Sequence, residues 1–339
     1  MTTKVLIMGI GTRGDVAPYA GLGVRLREAG HEVTIAAHEP YAELVTDAGL
    51  ACVTLPGDPL TALTGRISIS AFRDYSEQLV EGLAGLRERE ADVLLLGVAG
   101  APACHVAEAM GVPSMGVHLQ PVDPTGDFPP VMSLLRRSLG RWGNRRAARL
   151  AFEVPAAGPL LSGLGVRMRA RLGLPPMTPR ALYRRRESTR WPVFHGVSPL
   201  VLPRPADWRP GLEITGYWWP PRPRGWQPEP VLRDFLASGP APVFVGFGSL
   251  AGTRAEQYTG LAVDALRRAG CAACCRLVCG GASPTTCWGS ATCRTTGCSP
   301  GWPPSPTTAA VAPPEAGCGQ GCPRWPCRSR TTSRSGRPG

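Results

Sequence analysis

The chain has 339 residues, 37 basic side chains against 25 acidic ones, and a net charge of +12. A chain of this length ordinarily carries two domains. Half of the excess charge sits in the last 69 residues, which hold seven Arg and one Glu, and the basic residues are not interleaved with aromatic ones as in RNA or DNA binders. A nucleic-acid partner is therefore not expected. No apolar run reaches the roughly 18 to 20 residues that span a bilayer, so a cytoplasmic protein is.

Lys4–Met8 is a short apolar run ending in glycines, the pattern of a buried central strand. Val16–Ala29 places Tyr19, Leu22 and Leu26 on one helical face, with Gly30 as a stop. Val33–Ala37 reads as a second strand. Pro40 suits the first position of a helix that carries Leu44, Val45 and Ala48. Further strands are predicted at Cys52–Leu55, Asp92–Leu96 and Ser114–His118, with helices at Ala71–Glu90 and Ala103–Met110 between them. Strand and helix alternate, which predicts an α/β fold with a doubly wound parallel sheet. Cys52 and Cys104 lie in apolar surroundings and read as buried thiols.

Residues 121–190 break the rhythm. Between residues 134 and 150, six arginines crowd a helix-prone stretch that also holds Leu139, Trp142 and Leu150. This is an amphipathic helix with a solvated basic face, a cover over a cleft, or a foot on an anionic membrane surface. Val197–Leu202 resumes a strand pattern. The Pro-rich Trp218–Pro230 reads as a stiff linker. Pro242–Phe247 is again a buried strand, and Ala255–Ala269 the helix after it. The division is then 1–217 for a first domain, 218–230 for the linker and 231–270 for the start of a second Rossmann-like domain.

From Cys271 the composition changes. The segment 271–339 holds ten of the twelve cysteines and lacks Ile, Met, Phe, Tyr, His, Lys, Asp and Asn. A zinc module would need paired knuckles at regular spacing, usually with His. A disulfide framework would need an oxidising compartment, and the opening MTTKVLIMGIG lacks a signal-peptide layout. Translation of GC-rich DNA out of frame accounts for the composition better, and Lys4 is the only lysine of the chain. With suitably chosen codons, Cys271–Cys275, Arg294–Pro300 and Pro306–Ala310 each read one base earlier as sensible protein: Val-Arg-Gly-Val-Leu, Pro-His-Asp-Trp-Leu-Phe-Pro and His-His-Gly-Gly. The expectation is one deleted base near codon 270 and a disordered, aberrant tail.

Gly9-Ile10-Gly11-Thr12-Arg13-Gly14 fits G-x-G-x-x-G between a strand and a helix, where backbone N–H groups can approach phosphate. With Glu39 after the second strand, it leaves open an NAD-dependent oxidoreductase. The longer context points elsewhere. Residues 5–58, the GTRGDVAP of Gly11–Pro18, SPLVLPRPADW of Ser198–Trp208, TGYWWP of Thr215–Pro220 and VFVGFGSL of Val243–Leu250 resemble GT-B glycosyltransferases of the sterol and natural-product (glycopeptide-antibiotic-like) group. The resemblance covers about residues 4–270.

The resemblance implies inverting transfer of a hexose from a UDP- or dTDP-sugar to a lipid, sterol or polyketide-like alcohol. It implies Asp15 as the general base, with Gly11, Thr12, Arg13, Gly248 and Ser249 on the donor phosphates. No metal and no cofactor beyond the nucleotide-sugar co-substrate are implied. The alternatives on the residues themselves are an N-cap for Asp15, plain loop structure for Thr12 and Arg13, and a strand-ending turn for Ser249. His31 and His38 read as a loop and a strand-end residue, while His105 and His118 are candidates to line the cleft. The HHGG-type donor loop of the family is absent in this frame, so the chain is expected to be inactive. A non-catalytic acceptor-binding or partner-activating protein is the other reading.

Overall fold

The computed structural model describes residues 2–59, 69–131, 133, 137–153, 158–220, 227, 230–237, 243–246, 255–268, 273–277 and 287–289. The chain divides into two units, 1–307 and 308–339, and all described residues lie in the first.

Seven parallel strands form the main sheet, in the order β3-β2-β1-β4-β5-β6-β7. They are β1 (Lys4–Gly9), β2 (Glu32–His38), β3 (Ala51–Leu55), β4 (Val93–Leu96), β5 (Ser114–His118), β6 (Val193–His195) and β7 (Leu212–Ile214). Each central strand is apolar on both sides because helices cover both faces of the sheet. Alternate residues of β1 and β4 separate accordingly. Val5, Ile7 and Leu95 pack on one face against Val16, Tyr19, Ala20 and Val24 of α1 (Arg13–Glu28) and Val45 of α2 (Ala42–Asp47). Leu6, Met8, Leu94 and Leu96 pack on the other face. There they meet Leu79 and Leu83 of α3 (Ile69–Gly85), Val106 of α4 (Cys104–Met110) and, further along the chain, Leu164 and Met168 in Gly158–Arg171. A period of two in the strands and of three to four in the helices thus produces the three-layer doubly wound architecture expected from the sequence.

The interval 121–190 supplies three helices, α5 (Gly140–Glu153), α6 (Gly158–Arg171) and α7 (Pro179–Ser188). A buried ion pair pins α6 to α4: Arg169 donates to both Glu108 oxygens, at 2.8 and 3.3 Å, and to His105 Nδ1 at 3.1 Å. Burial and the adjacent Arg169 push the His105 ring down to about 4. His105 is therefore a neutral partner of a structural network, on a helix beneath the sheet.

The predicted strand Val197–Leu202 does not form. The strand is Val193–His195, and Ser198 opens a turn in which its carbonyl accepts from Val201 and Leu202 and its hydroxyl from Leu200 N–H. Leu200 and Val201 stand 96% and 68% exposed. Cys52 and Cys104 are half-buried rather than fully enclosed. Trp218, at the head of the Pro-rich stretch, packs on Tyr19 and closes over Gly196, where an added Cβ would lie 2.9 Å from its ring.

A second sheet of three strands has the order β10-β9-β8. It comprises β8 (Val243–Gly246), β9 (Ala273–Leu277) and β10 (Cys287–Gly289), with α8 (Pro230–Ala237) before it and α9 (Ala255–Arg268) between β8 and β9. β9 runs parallel to β8, and β10 antiparallel to β9. The expectation of disorder from 271 onward is thus corrected at these two strands: β8 offers an unpaired edge, and backbone pairing asks little of side-chain composition. Among the described residues no helix is long and apolar enough to cross a membrane.

The Tyr19 hydroxyl ties α1 to the end of β5 by donating to the Val117 carbonyl at 3.0 Å. A Cβ on Gly97, after β4, would fall 2.2 Å from that same hydroxyl oxygen. Tyr19→Phe should cost about 1 kcal/mol, and Gly97→Ala more. In the Tyr19→Phe background the Gly97→Ala cost should shrink, because the nearest clashing atom is gone and the closest that remains is Cζ at 2.9 Å. Denaturant melts of the four proteins of this cycle check the coupling; strict additivity would contradict the contact.

Candidate active site at the carboxyl edge of the sheet

Strand order reverses between β1 and β4, and in open parallel sheets the crevice at that reversal, beyond the carboxyl ends of the strands, is where ligands bind. The loop Ile10–Thr12 leaves β1 there. Gly11 has φ +132°, a conformation that side chains rarely adopt, and a Cβ on it would lie 2.2 Å from Asp15 Oδ2. The residue is glycine so that the Asp15 carboxylate can fold back over the turn. Asp15 Oδ2 accepts from the Thr12 backbone N–H at 2.8 Å and from its hydroxyl at 3.4 Å. Thr12 is the N-cap of α1 and Asp15 its third residue, so the two close a capping box with Asp in the usual Glu position.

Asp15 therefore does cap the helix, and its electrostatics also suit proton transfer. Burial raises its carboxyl above the ordinary aspartate range, and the two Thr12 hydrogen bonds only partly offset this. Arg13 is half-buried at the same turn, its guanidinium shifted down by burial. Gly14 is exposed, with its nearest contact for an added Cβ at 3.8 Å, so the third glycine of the dinucleotide pattern meets no packing requirement here. Glu39 is exposed as well.

Around this turn stand polar side chains that the sequence reading did not bring together. His38, the last residue of β2, is fully buried and hydrogen-bonded to the Tyr75 hydroxyl of α3 at 3.2 Å. Burial shifts the His38 ring down, toward neutrality. Tyr41 and Tyr75 are both pushed up to about 12, by burial first and then by the nearby Asp58 carboxylate. Both phenols, Tyr41 buried and Tyr75 half-buried, therefore stay protonated as donors.

On the other side of the sheet reversal, Asp207 and Trp208 of the Ser198–Trp208 motif hold the loop after β5. Asp207 accepts from the Thr125 hydroxyl at 2.6 Å and from Gly126 N–H at 2.8 Å, while Trp208 stacks on His195 at 4.4 Å. Burial pushes the Asp207 carboxyl up, but the Thr125 and Gly126 bonds outweigh it and leave it below the usual range. His118 ends β5 and lies at this edge, unlike His105. Of the expected donor contacts, Gly11, Thr12 and Arg13 share one turn with Asp15. Gly248 and Ser249 lie outside the described residues.

The capping geometry separates charge from shape. Asp15→Ala should lower stability by about 1 kcal/mol, by orphaning the Thr12 N–H. Asp15→Asn keeps an acceptor oxygen and should recover most of that loss. Because the folded-state pKa of Asp15 is raised, its stabilising contribution is present at low pH and is lost as pH rises through the folded value. Asp15→Asn should abolish that decline in melts run from acid to neutral pH.

Residues 5–119 match the glycosyltransferase family 28 N-terminal domain. The chain is 32% identical over 303 residues to O-mycaminosyltylonolide 6-deoxyallosyltransferase of Streptomyces fradiae, a match covering 78% of this chain and 66% of that protein. It is 27% identical over 293 residues to a sterol 3-beta-glucosyltransferase of Arabidopsis thaliana, covering 78% of this chain and 44% of that one. The chain thus spans less than two thirds of the length of these relatives. Among solved structures, the glycotransferase of kitacinnamycin superposes with a TM-score of 0.54 at 19% identity, over 79% of this chain and 64% of that chain, a likeness of fold. Residues 5–119 are thus similar to the N-terminal domain of glycosyltransferase family 28, and the chain has an α/β fold of the GT-B type.

Proposed function

We propose that the chain carries the acceptor half of an inverting glycosyltransferase that moves a hexose from a UDP- or dTDP-sugar to a hydroxyl of a lipid, sterol or polyketide-like alcohol. The observation that carries this reading is Asp15: a partly buried carboxylate of raised basicity, held over a glycine turn at the sheet reversal. In the reaction, the acceptor hydroxyl attacks the anomeric carbon while Asp15 takes its proton. With Oδ2 committed to Thr12, the proton goes to Oδ1. The nucleoside diphosphate leaves toward backbone N–H groups and the start of α1, where Thr12 and Arg13 stand; Gly248 and Ser249 are the further phosphate contacts that the sequence resemblance implies. No metal is required for that departure. The named substrates of the relatives, a tylonolide glycoside and a sterol, support a bulky apolar alcohol as acceptor.

The membrane contact belongs to the same reading. On α5, Trp142 is 77% exposed with Arg146 over its ring at 5.6 Å, and Leu139 and Leu150 are exposed beside it. An apolar ridge among arginines suits the headgroup region of an anionic bilayer, where a lipid-borne acceptor would be met.

The segment 271–339 contains no histidine, so the family's HHGG-type donor loop has no counterpart in it. We therefore read this chain as inactive in transfer and as an acceptor binder at most. Purified 339-residue protein should show tryptophan-fluorescence changes with a sterol or macrolide alcohol, and neither hydrolysis of nor transfer from UDP-glucose or a dTDP-hexose. Turnover of about 1 per second or faster, an ordinary enzyme rate, would overturn the inactivity. Failure to bind any such alcohol would overturn the acceptor reading.

A further inference from the structure

We infer that His118, Asp123 and His195 form a binding site for a zinc-class divalent cation, at the carboxyl ends of β5 and β6. The inference is independent of the glycosyl-transfer reading. Sheet register creates the pair of histidines: His118 and His195 end adjacent parallel strands and stand opposite each other. Asp123 comes from the loop after β5, which Asp207 holds in place through Thr125 and Gly126. His118 Nδ1 lies 3.2 Å, and His195 Nε2 3.0 Å, from the same Asp123 oxygen, Oδ2. All three ligand atoms fall within 4.8 Å of one another. The histidines are buried, and Asp123 has 13% of its side chain exposed.

The hydrogen-bond partners leave a place for a cation between these groups. His195 Nδ1 is 3.2 Å from the Glu213 carbonyl, which can only accept, so Nδ1 carries the ring's proton. Nε2 of a neutral ring then presents a lone pair to a carboxylate oxygen. Either a second proton or a metal ion must stand between them. The metal form fits three further observations. First, the two nitrogen–oxygen separations are close to the edge of a tetrahedron with metal–ligand bonds of about 2.0–2.1 Å, which is about 3.3 Å. Second, an imidazole whose far N–H is fixed by a backbone carbonyl is the arrangement that orients metal-ligating histidines. Third, Trp208 stacks on the His195 ring at 4.4 Å and holds its plane. Two imidazoles and one carboxylate are an ordinary zinc donor set, with the fourth position left for water or a ligand.

The test is titration of the full chain with Co2+, read by visible absorption and by bound-metal stoichiometry, and repeated on Asp123→Asn and His195→Gln. The segment 271–339 holds ten cysteines, whose thiolates would take up Co2+ as well, so the signal is the difference between wild type and variant. Wild type should bind one equivalent more, with d–d bands and no thiolate charge-transfer band in the difference spectrum. Each variant should bind that equivalent at least about tenfold more weakly. Asp123→Asn preserves shape and burial, so it decides the matter if His195→Gln fails to fold. Equal stoichiometry in wild type and Asp123→Asn, or a difference spectrum that is purely thiolate, would overturn the inference and leave the cluster bridged by protons.

Discussion

Everything chemical in this molecule depends on seven strands running in one direction with both faces buried. A parallel sheet cannot expose a face to water without exposing apolar side chains, so its polar residues are driven to the strand ends. In β1, Leu6, Ile7 and Met8 are at most 2% exposed, and polarity begins only with the turn at Gly11. His38, His118 and His195 are each the last residue of a strand. Because the register is fixed, these ends gather along one edge, and the helices α1 and α3 and the loop after β5 bring in Asp15, the Tyr75 hydroxyl and Asp123.

Within that edge, shape and charge pull Asp15 in opposite directions. The capping box wants an ionised acceptor for the Thr12 N–H, while burial opposes the charge, and the balance falls on the side of burial. The result is a positioned carboxylate that binds a proton more readily than a free aspartate does. Helix cap and general base are thus compatible descriptions of one group, and Gly11 is the steric condition for both. At Asp123 the same contest ends the other way, because two imidazoles face one oxygen.

The central strands were legible because their apolar runs are bounded by glycine or polar turns; the ends read for the strands from Lys4 to His118 each lie within one residue of those found. The edge strands were not. β6 and β7 have three residues each, too few for a periodic pattern, and the neighbouring Val197–Leu202 imitates a strand although Leu200 and Val201 point to solvent. At the site, the Gly11–Asp15 turn is local in sequence and could be read there. The His118–Asp123–His195 cluster could not, since it joins residues 72 positions apart through sheet register. Its only sequence trace was His118 at the end of a predicted strand; His195 lay outside the strand predicted at Val197–Leu202. In the segment after 270, composition promised no core, and none was needed for β9 to pair with β8 through its backbone.

In the proposed reading the carboxyl edge of the first sheet binds the acceptor, and the segment after Gly270 lacks the histidines of a donor loop. The most direct measurement restores one base near codon 270 and compares sugar transfer by the resulting protein with transfer by its Asp15→Asn form. The account predicts transfer in the first and a loss of about 100- to 10,000-fold in the second, the range for removing a general base, with folding intact. An Asp15→Asn protein that transfers as fast as its parent would contradict it.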